Sequence, residues 1–317
     1  MIEDEHYEEI SGGGERVTHL YPNDCFYAHL SIYYFATQFC QNNYVLDAGS
    51  GAGYGSAYLV DHGAKFVDAI ELNEVSVAFS KQHFKKSNLR YQVMDLNNLV
   101  GFQPQSFDII FTSNVLEHVL DVVKLIRTAW KILKPDGIMI VAVPPIVREV
   151  DWADNIANIY HRNIWTPRQW YQIFYQFFCE IECYWHGVRP GLPLDFQNKP
   201  EQTMINEKDF IFKPVPVDHY YIEPSLTIMF VIRKPRPENE IPPAGLPVTF
   251  IENSFTRPLS YQTASISALL ARLSAVRKIF LHLLNRSLTI ARQQGVLSII
   301  PAAIHHIKWR INRRHER

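Results

Sequence analysis

Cysteine is scarce in this chain: 317 residues hold four, Cys25, Cys40, Cys179 and Cys183. Residues so few and scattered make no disulfide framework, and the C-x3-C pair Cys179 and Cys183 has no matching His or Cys partners to complete a zinc site. Reduced thiols in a cytoplasmic protein are the expectation. Long apolar runs are missing too, and none approaches the roughly 20 residues that span a bilayer. The opening Met1-Ile2-Glu3-Asp4-Glu5 is acidic where a secretory leader is basic and then apolar. No internal repeat is visible. With 47% apolar residues the chain can still bury a large core, enough for one sizeable domain with extensions.

Acidic residues all but vanish from the last sixty. Residues 259–317 carry ten Lys/Arg against the single acid Glu316, which leaves 21 basic against 31 acidic residues upstream. The net charge of −1 therefore hides a tail of about +9 on a body of about −10. In the tail Ile266, Leu269, Leu273, Val276, Phe280, Leu283 and Ile290 fall on a 3/4 spacing, with Arg272, Arg277, Lys278, Arg286 and Arg292 on other faces. Such an amphipathic stripe needs a partner surface: the chain's own body, a second copy through homodimerisation over residues 262–317, or a membrane surface. Nucleic acid is not an expected partner.

What is present is concentrated in one stretch. Asn43 to Gly55 reads as an apolar strand that ends in an acid, Asp47, and runs into a turn with Gly at alternate positions: Gly49, Gly51, Gly53 and Gly55, with Ser50 between the first two. Such a turn lets a backbone approach a ligand closely and aims the positive end of the following helix at it. A second apolar run ends in Glu71 and a third in Asp95. Three carboxylates at successive strand tips share the sheet edge where open α/β sheets bind ligands. An acid about twenty residues past the turn suits a ribose diol, yet nicotinamide enzymes place one there as well, so these features alone leave both classes open.

The elements alternate: a helix over 22–40 with Phe26, Leu30, Tyr33 and Tyr34 on one face, strand 44–48, helix 53–62, strand 66–71, helix 74–86, strand 90–94, strand 107–112, helix 119–133, strand 137–143. This pattern predicts a parallel sheet covered by helices on both faces. After Pro144-Pro145 an irregular segment runs to Trp165, Thr166-Pro167 starts another helix, and strands are expected near 179–186 and 226–233. The domain plan is a helical cap over 1–43, a catalytic domain over 44–234 with an inserted lid at 186–225, a Pro-rich linker over 235–258, and the basic amphipathic helical extension 259–317.

Further residues separate the classes. Tyr54 stands where a dinucleotide fingerprint has its third Gly, Asp95-Leu96 follow the third strand, Asn114-Val115-Leu116-Glu117-His118-Val119 follow the fourth, Leu133-Lys134-Pro135-Asp136-Gly137 precede the fifth, and Tyr160-His161-Arg162-Asn163 lie ahead of Thr166. With these the chain resembles the class I S-adenosylmethionine-dependent methyltransferases of the small-molecule type, over roughly residues 40–180. The resemblance implies a Rossmann-like sheet of seven strands, mostly parallel, with the last strand antiparallel. It implies S-adenosylmethionine as cofactor: Asp47, Gly49, Ser50, Gly51 and Gly53 around the methionine part, Glu71 on the ribose hydroxyls, Leu72 on the adenine plane, Asp95 and the Leu96 amide at the adenine edge, and Asn114 beside them. No metal site is expected.

Methyl transfer from a sulfonium asks mainly for alignment and exclusion of water, while a hydroxyl acceptor also needs a proton taken from it. His161 and His118 are the candidates for that task. The expected acceptor is a small molecule methylated at oxygen, a sugar or natural product, with Tyr7, Tyr21, Tyr27, Trp152, Tyr160, Trp165, Tyr184, Trp185, Tyr220 and Tyr221 available to line its pocket. A nitrogen, quinone or lipid methyltransferase is the alternative within enzymes, and a non-catalytic cofactor-binding subunit the alternative outside them.

Overall fold

A computed structural model describes residues 16–244. Tyr7, residues 245–258 and the basic extension lie outside that range. The described chain divides into two units: residues 149–159, which contain the helix Glu149–Ala157, lie in one, and the rest of the described chain forms the sheet domain.

In chain order the sheet domain comprises α1 (Asp24–Cys40), β1 (Tyr44–Ala48), α2 (Tyr54–Asp61), β2 (Phe66–Glu71), α3 (Glu74–His83), β3 (Leu89–Val93), β4 (Phe107–Ser113), α4 (Val122–Ile132), β5 (Leu133–Val143), α6 (Pro167–Tyr175), β6 (Phe178–Val188), β7 (Phe210–Val215) and β8 (Ile228–Pro235); α5 spans Glu149–Ala157 in the other unit. Strand order is β3-β2-β1-β4-β5-β8-β6-β7. β1 to β5 pair in parallel, and β8 runs antiparallel between β5 and β6. The order turns back between β1 and β4, and the carboxyl ends of strands at such a switch point are where open α/β sheets bind ligands.

Strand periodicity accounts for the two-sided core. Leu46, Ile110, Met139, Val141, Phe230 and Ile232 face one way, with α4 and α6 packed over them; Val45, Val67, Phe111, Ile140, Met229 and Val231 face the other, under α1. Helix starts follow their capping chemistry. The Asn23 side chain accepts from the Phe26 amide, Asn73 from Ser76, and Thr166 closes a capping box with Gln169 ahead of Pro167. On α1, Phe26, Leu30 and Tyr33 are buried as expected, whereas Tyr34 is exposed.

Three expectations change. The sheet has eight strands, because Phe210–Val215 adds β7 to the edge of β6, with Pro214 tolerated on that outermost strand. The segment 186–225 is accordingly part sheet, and its loop is tied down: the buried Asp24 carboxylate accepts from the Asp195 amide at 2.9 Å and the Asn198 side chain at 3.1 Å. The start of the expected linker is docked as well. Trp130 Nε1 donates to the Arg236 carbonyl at 2.9 Å, Arg127 donates to that of Pro242, and Ile241 joins the core beside α4.

Candidate functional site

The Gly-rich turn is held by its own amides. Gly49 and Ser50 both donate to the Ile70 carbonyl at 2.9 Å, and Gly53, which precedes α2, donates to Ser50. A Cβ on Gly49 would lie 2.4 Å from Val115, so this Gly lets the turn after β4 close on the turn after β1. Gly51 is different. It has φ +55° and nothing within 4 Å of where its Cβ would stand, so the backbone there faces open space. Beside it the Ser50 hydroxyl is buried with no hydrogen-bond partner among the described residues. An open glycine backbone next to an unsatisfied buried hydroxyl is a cradle for a polar ligand.

Asp47 lies beneath the turn, fully buried, accepting from Ser56 Oγ at 2.5 Å and from Tyr33 Oη at 3.4 Å. Burial pushes its carboxyl up to about 7 against the pull of those two hydroxyls, and the nearby Glu71 charge adds to the rise. Asp47 therefore braces the turn from inside. Glu71 is also buried. Its Oε2 accepts from the Gly51 amide at 3.1 Å, and its Oε1 from the Asn73 amide and from Arg16 Nη2, both at 2.9 Å. Leu72 next to it is 63% exposed, an apolar side chain held in the open at a strand tip. The Met94 amide donates to the Glu71 carbonyl, which brings Asp95 alongside. Asp95 is exposed and uses one oxygen on Asn97; Leu96 turns its side chain into the core. Asn114, left-handed at φ +52°, closes the row. These groups follow one another along the sheet edge as a cradle, a buried carboxylate, an exposed apolar side chain and a second acid, a set whose chemistry suits an adenosyl ligand.

The other half forms around Glu117. The turn Leu116–His118 and the segment Tyr160–Asn163 are stitched together, with the Arg162 and Asn163 amides on the Glu117 carbonyl at 2.6 and 3.0 Å and the Asn163 side chain on the carbonyls of Leu116 and Val119. The His118 and His161 rings meet edge to face at 4.9 Å. His118 Nδ1 is 3.1 Å from the Tyr160 carbonyl, and its Nε2 lies 3.8 Å from Glu117 Oε1. A carbonyl that takes the Nδ1 proton leaves Nε2 with its lone pair. Glu117, His118 and His161 each offer one ligand atom, all within 4.8 Å of one another, which is a candidate divalent-cation set that residue spacing did not announce. Glu117, Asn163, Ser56, Tyr33 and Arg16 are the site residues that reading the sequence missed.

Several aromatics expected at the acceptor are structural instead. Tyr220 is 1% exposed and bonds the carbonyls of Tyr184 and Met229, while Trp185 is buried with Nε1 on the Pro224 carbonyl. These rings fill space between β6, β8 and the segment linking β7 to β8.

A mostly parallel sheet in which β8 and the edge strand β7 run opposite to the rest, a Gly-turn cradle and acids at three strand tips are the features of an α/β domain suited to a nucleoside ligand. Residues 46–141 match the family model described as a methyltransferase domain. Ubiquinone biosynthesis O-methyltransferase of Neisseria meningitidis serogroup A is 32% identical over 98 residues, 30% of this chain and 41% of that protein, and its Idiomarina loihiensis counterpart is 31% identical over 131 residues, 40% and 53%. The chain spans about half the length, or less, of the curated relatives it matches. A solved S-adenosylmethionine-dependent methyltransferase from Thermotoga maritima superposes with TM-score 0.50 at 13% identity, covering 67% of this chain and 91% of that one, which is likeness of fold. Residues 46–141 thus carry a methyltransferase domain, and the sheet that contains them has the fold of S-adenosylmethionine-dependent methyltransferases. Among the described residues no helix is long and apolar enough to cross a membrane.

Proposed function

We propose that the protein methylates a hydroxyl oxygen of a small-molecule acceptor. The observation that carries this reading is the pair of imidazoles, His118 and His161, in ring contact on a backbone-stitched platform whose Val115 abuts the glycine turn. When bound, S-adenosylmethionine supplies a methyl group already activated on sulfonium. The chain's own part is to hold the adenosyl portion along the Gly51, Glu71 and Asp95 edge, exclude water, and take the acceptor's proton at an imidazole nitrogen. A neutral amine acceptor would need no such base before attack, so two neighbouring histidines favour oxygen. The relatives named as O-methyltransferases of ubiquinone biosynthesis add hydroxyls of quinone-pathway compounds to the sugar and natural-product acceptors, and a phenol is a simple probe for them. Incubation of the full chain with methyl-labelled cofactor and matched phenol, sugar and amine acceptors tests the reading: label is expected on oxygen, and label confined to amines overturns it.

One observation favours a second reading of the same platform, in which Glu117, His118 and His161 hold a divalent cation. His118 has the carbonyl-oriented ring typical of a ligating histidine, with the Glu117 carboxylate on its other side. Calorimetric titration with Mg²⁺ and Mn²⁺ decides it: this reading expects saturable binding that His118→Ala abolishes, and no binding by the wild type removes it.

A further inference from the structure

We propose that Arg16 gates the cofactor site by occupying the hydrogen-bonding position on Glu71 that the second ribose hydroxyl requires; the inference rests on the assignment of Glu71 to the ribose. A carboxylate offers about four lone-pair sites, two on each oxygen. In this structure Oε1 accepts from the Asn73 amide and from Arg16 Nη2, and Oε2 accepts from the Gly51 amide. Oε1 is then full, and only Oε2 has a site left. The two backbone donors belong to the β1 and β2 turns and cannot leave without unmaking the cradle. Arg16 can leave, because only a guanidinium on a long side chain, 21% exposed, has to swing away from the carboxylate while the turns stay as they are. A diol that grips both oxygens must displace it, whereas a sugar with a single hydroxyl can bind Oε2 with the guanidinium in place.

The segment behind Arg16 keeps it poised. Thr18 is buried and its hydroxyl accepts from the Leu20 amide at 3.2 Å; the His19 ring packs on Phe84 at 4.9 Å and Phe79 at 5.8 Å; Leu20 sits with Ala52 of the glycine turn and Phe79 of α3. Residues 17–20 thus lie anchored across the elements that build the cradle, and hold the guanidinium at high effective concentration beside Glu71. The ion pair is partly solvated, with side chains 21% and 9% exposed, so its displacement is within reach of ordinary ligand binding energy. Arg16 is a competitor of the diol in this scheme and makes no contribution to the reacting atoms.

Calorimetry with S-adenosylhomocysteine, which carries no sulfonium charge, and with its 2′-deoxy analogue tests the gate. Wild type and Arg16→Ala are compared, with Arg16→Lys as the variant that keeps a cation and thermal unfolding as the check on folding. Removing the competitor should tighten the Kd for S-adenosylhomocysteine roughly five-fold, the scale of a part-exposed ion pair, and change the Kd of the 2′-deoxy analogue less than two-fold. Arg16→Lys should behave as wild type. An unchanged or weaker Kd for the diol ligand in Arg16→Ala, or an equal gain for both ligands, overturns the gate while leaving the cofactor site in place. Failure of wild type to bind S-adenosylhomocysteine at all instead overturns the ribose assignment, and the gate with it.

Discussion

The cofactor half and the acceptor half of this site are built in different ways. The first is made of strand tips: Gly51, Glu71 and Asp95 take their places from pairing registers such as Glu71 against Val93, and from backbone bonds such as those of the Gly49 and Ser50 amides to the Ile70 carbonyl. The second adds to its backbone bonds particular side chains crossing long stretches of sequence, as where Asn163 binds carbonyls 47 and 44 residues earlier. A half built on backbone keeps its geometry when its outer residues vary, and a half built on side-chain stitching can be remodelled by a few substitutions. One domain can in this way keep a cofactor and change its acceptor.

The sharpest test of the contrast is the loss of Glu71. Glu71→Ala deletes the carboxylate assigned to the ribose and strands the Gly51 and Asn73 amides, and charge-assisted bonds of this sort are worth about 1.5–3 kcal/mol each. Cofactor affinity should fall about 100-fold or more by calorimetry, and a change under three-fold would show that the ribose is held elsewhere. Next in size is His161→Ala. If the histidine platform handles the acceptor's proton, kcat should drop roughly 100- to 10,000-fold with cofactor affinity unmoved. A matched loss of cofactor binding would erase the division between the two halves.

The pH behaviour of Asp47 probes the cradle from beneath. Its folded carboxyl stands near 7 against an ordinary value of 3.8, so between those values the folded state binds the extra proton. The contribution is present in full below about 4 and is lost as pH rises through about 7. Wild-type stability should therefore fall across that window, at no more than about 1.4 kcal/mol per pH unit from this group. Asp47→Asn should flatten that part of the profile in denaturant titrations at a series of pH values. An unchanged slope would assign the pH dependence to other groups.

The same contrast governs what could be read from sequence. β1 and β2 were legible to the residue, because a short apolar run ending in an acid and followed by a turn into a helix, glycine-rich after β1 and Asn73-capped after β2, has few structural solutions. β7 was not: Phe210–Val215 holds Lys213 and Pro214 in a proline-rich stretch, and it becomes a strand only by pairing with β6. Helix α5 likewise fell in a segment read as irregular. Glu117 was visible as the neighbour of His118, but nothing in its spacing joined it to His161. Tyr33 read as a core face of α1, and only the fold brings its hydroxyl to Asp47. Arg16 gave no signal, since its partner is 55 positions away.

The smallest expected effect separates ring from function within the acceptor half. Tyr220 counted as a pocket-lining aromatic on composition, yet its hydroxyl spends both contacts on the Tyr184 and Met229 carbonyls inside the core. Tyr220→Phe keeps the packing and removes one donor, so stability should fall by about 1 kcal/mol while KM for the acceptor stays put. Both quantities come from one preparation, by denaturant unfolding and steady-state kinetics. A KM that rises with stability intact would return Tyr220 to the acceptor pocket and would mean that the segment between β7 and β8 opens in solution far enough to expose a ring now 1% accessible.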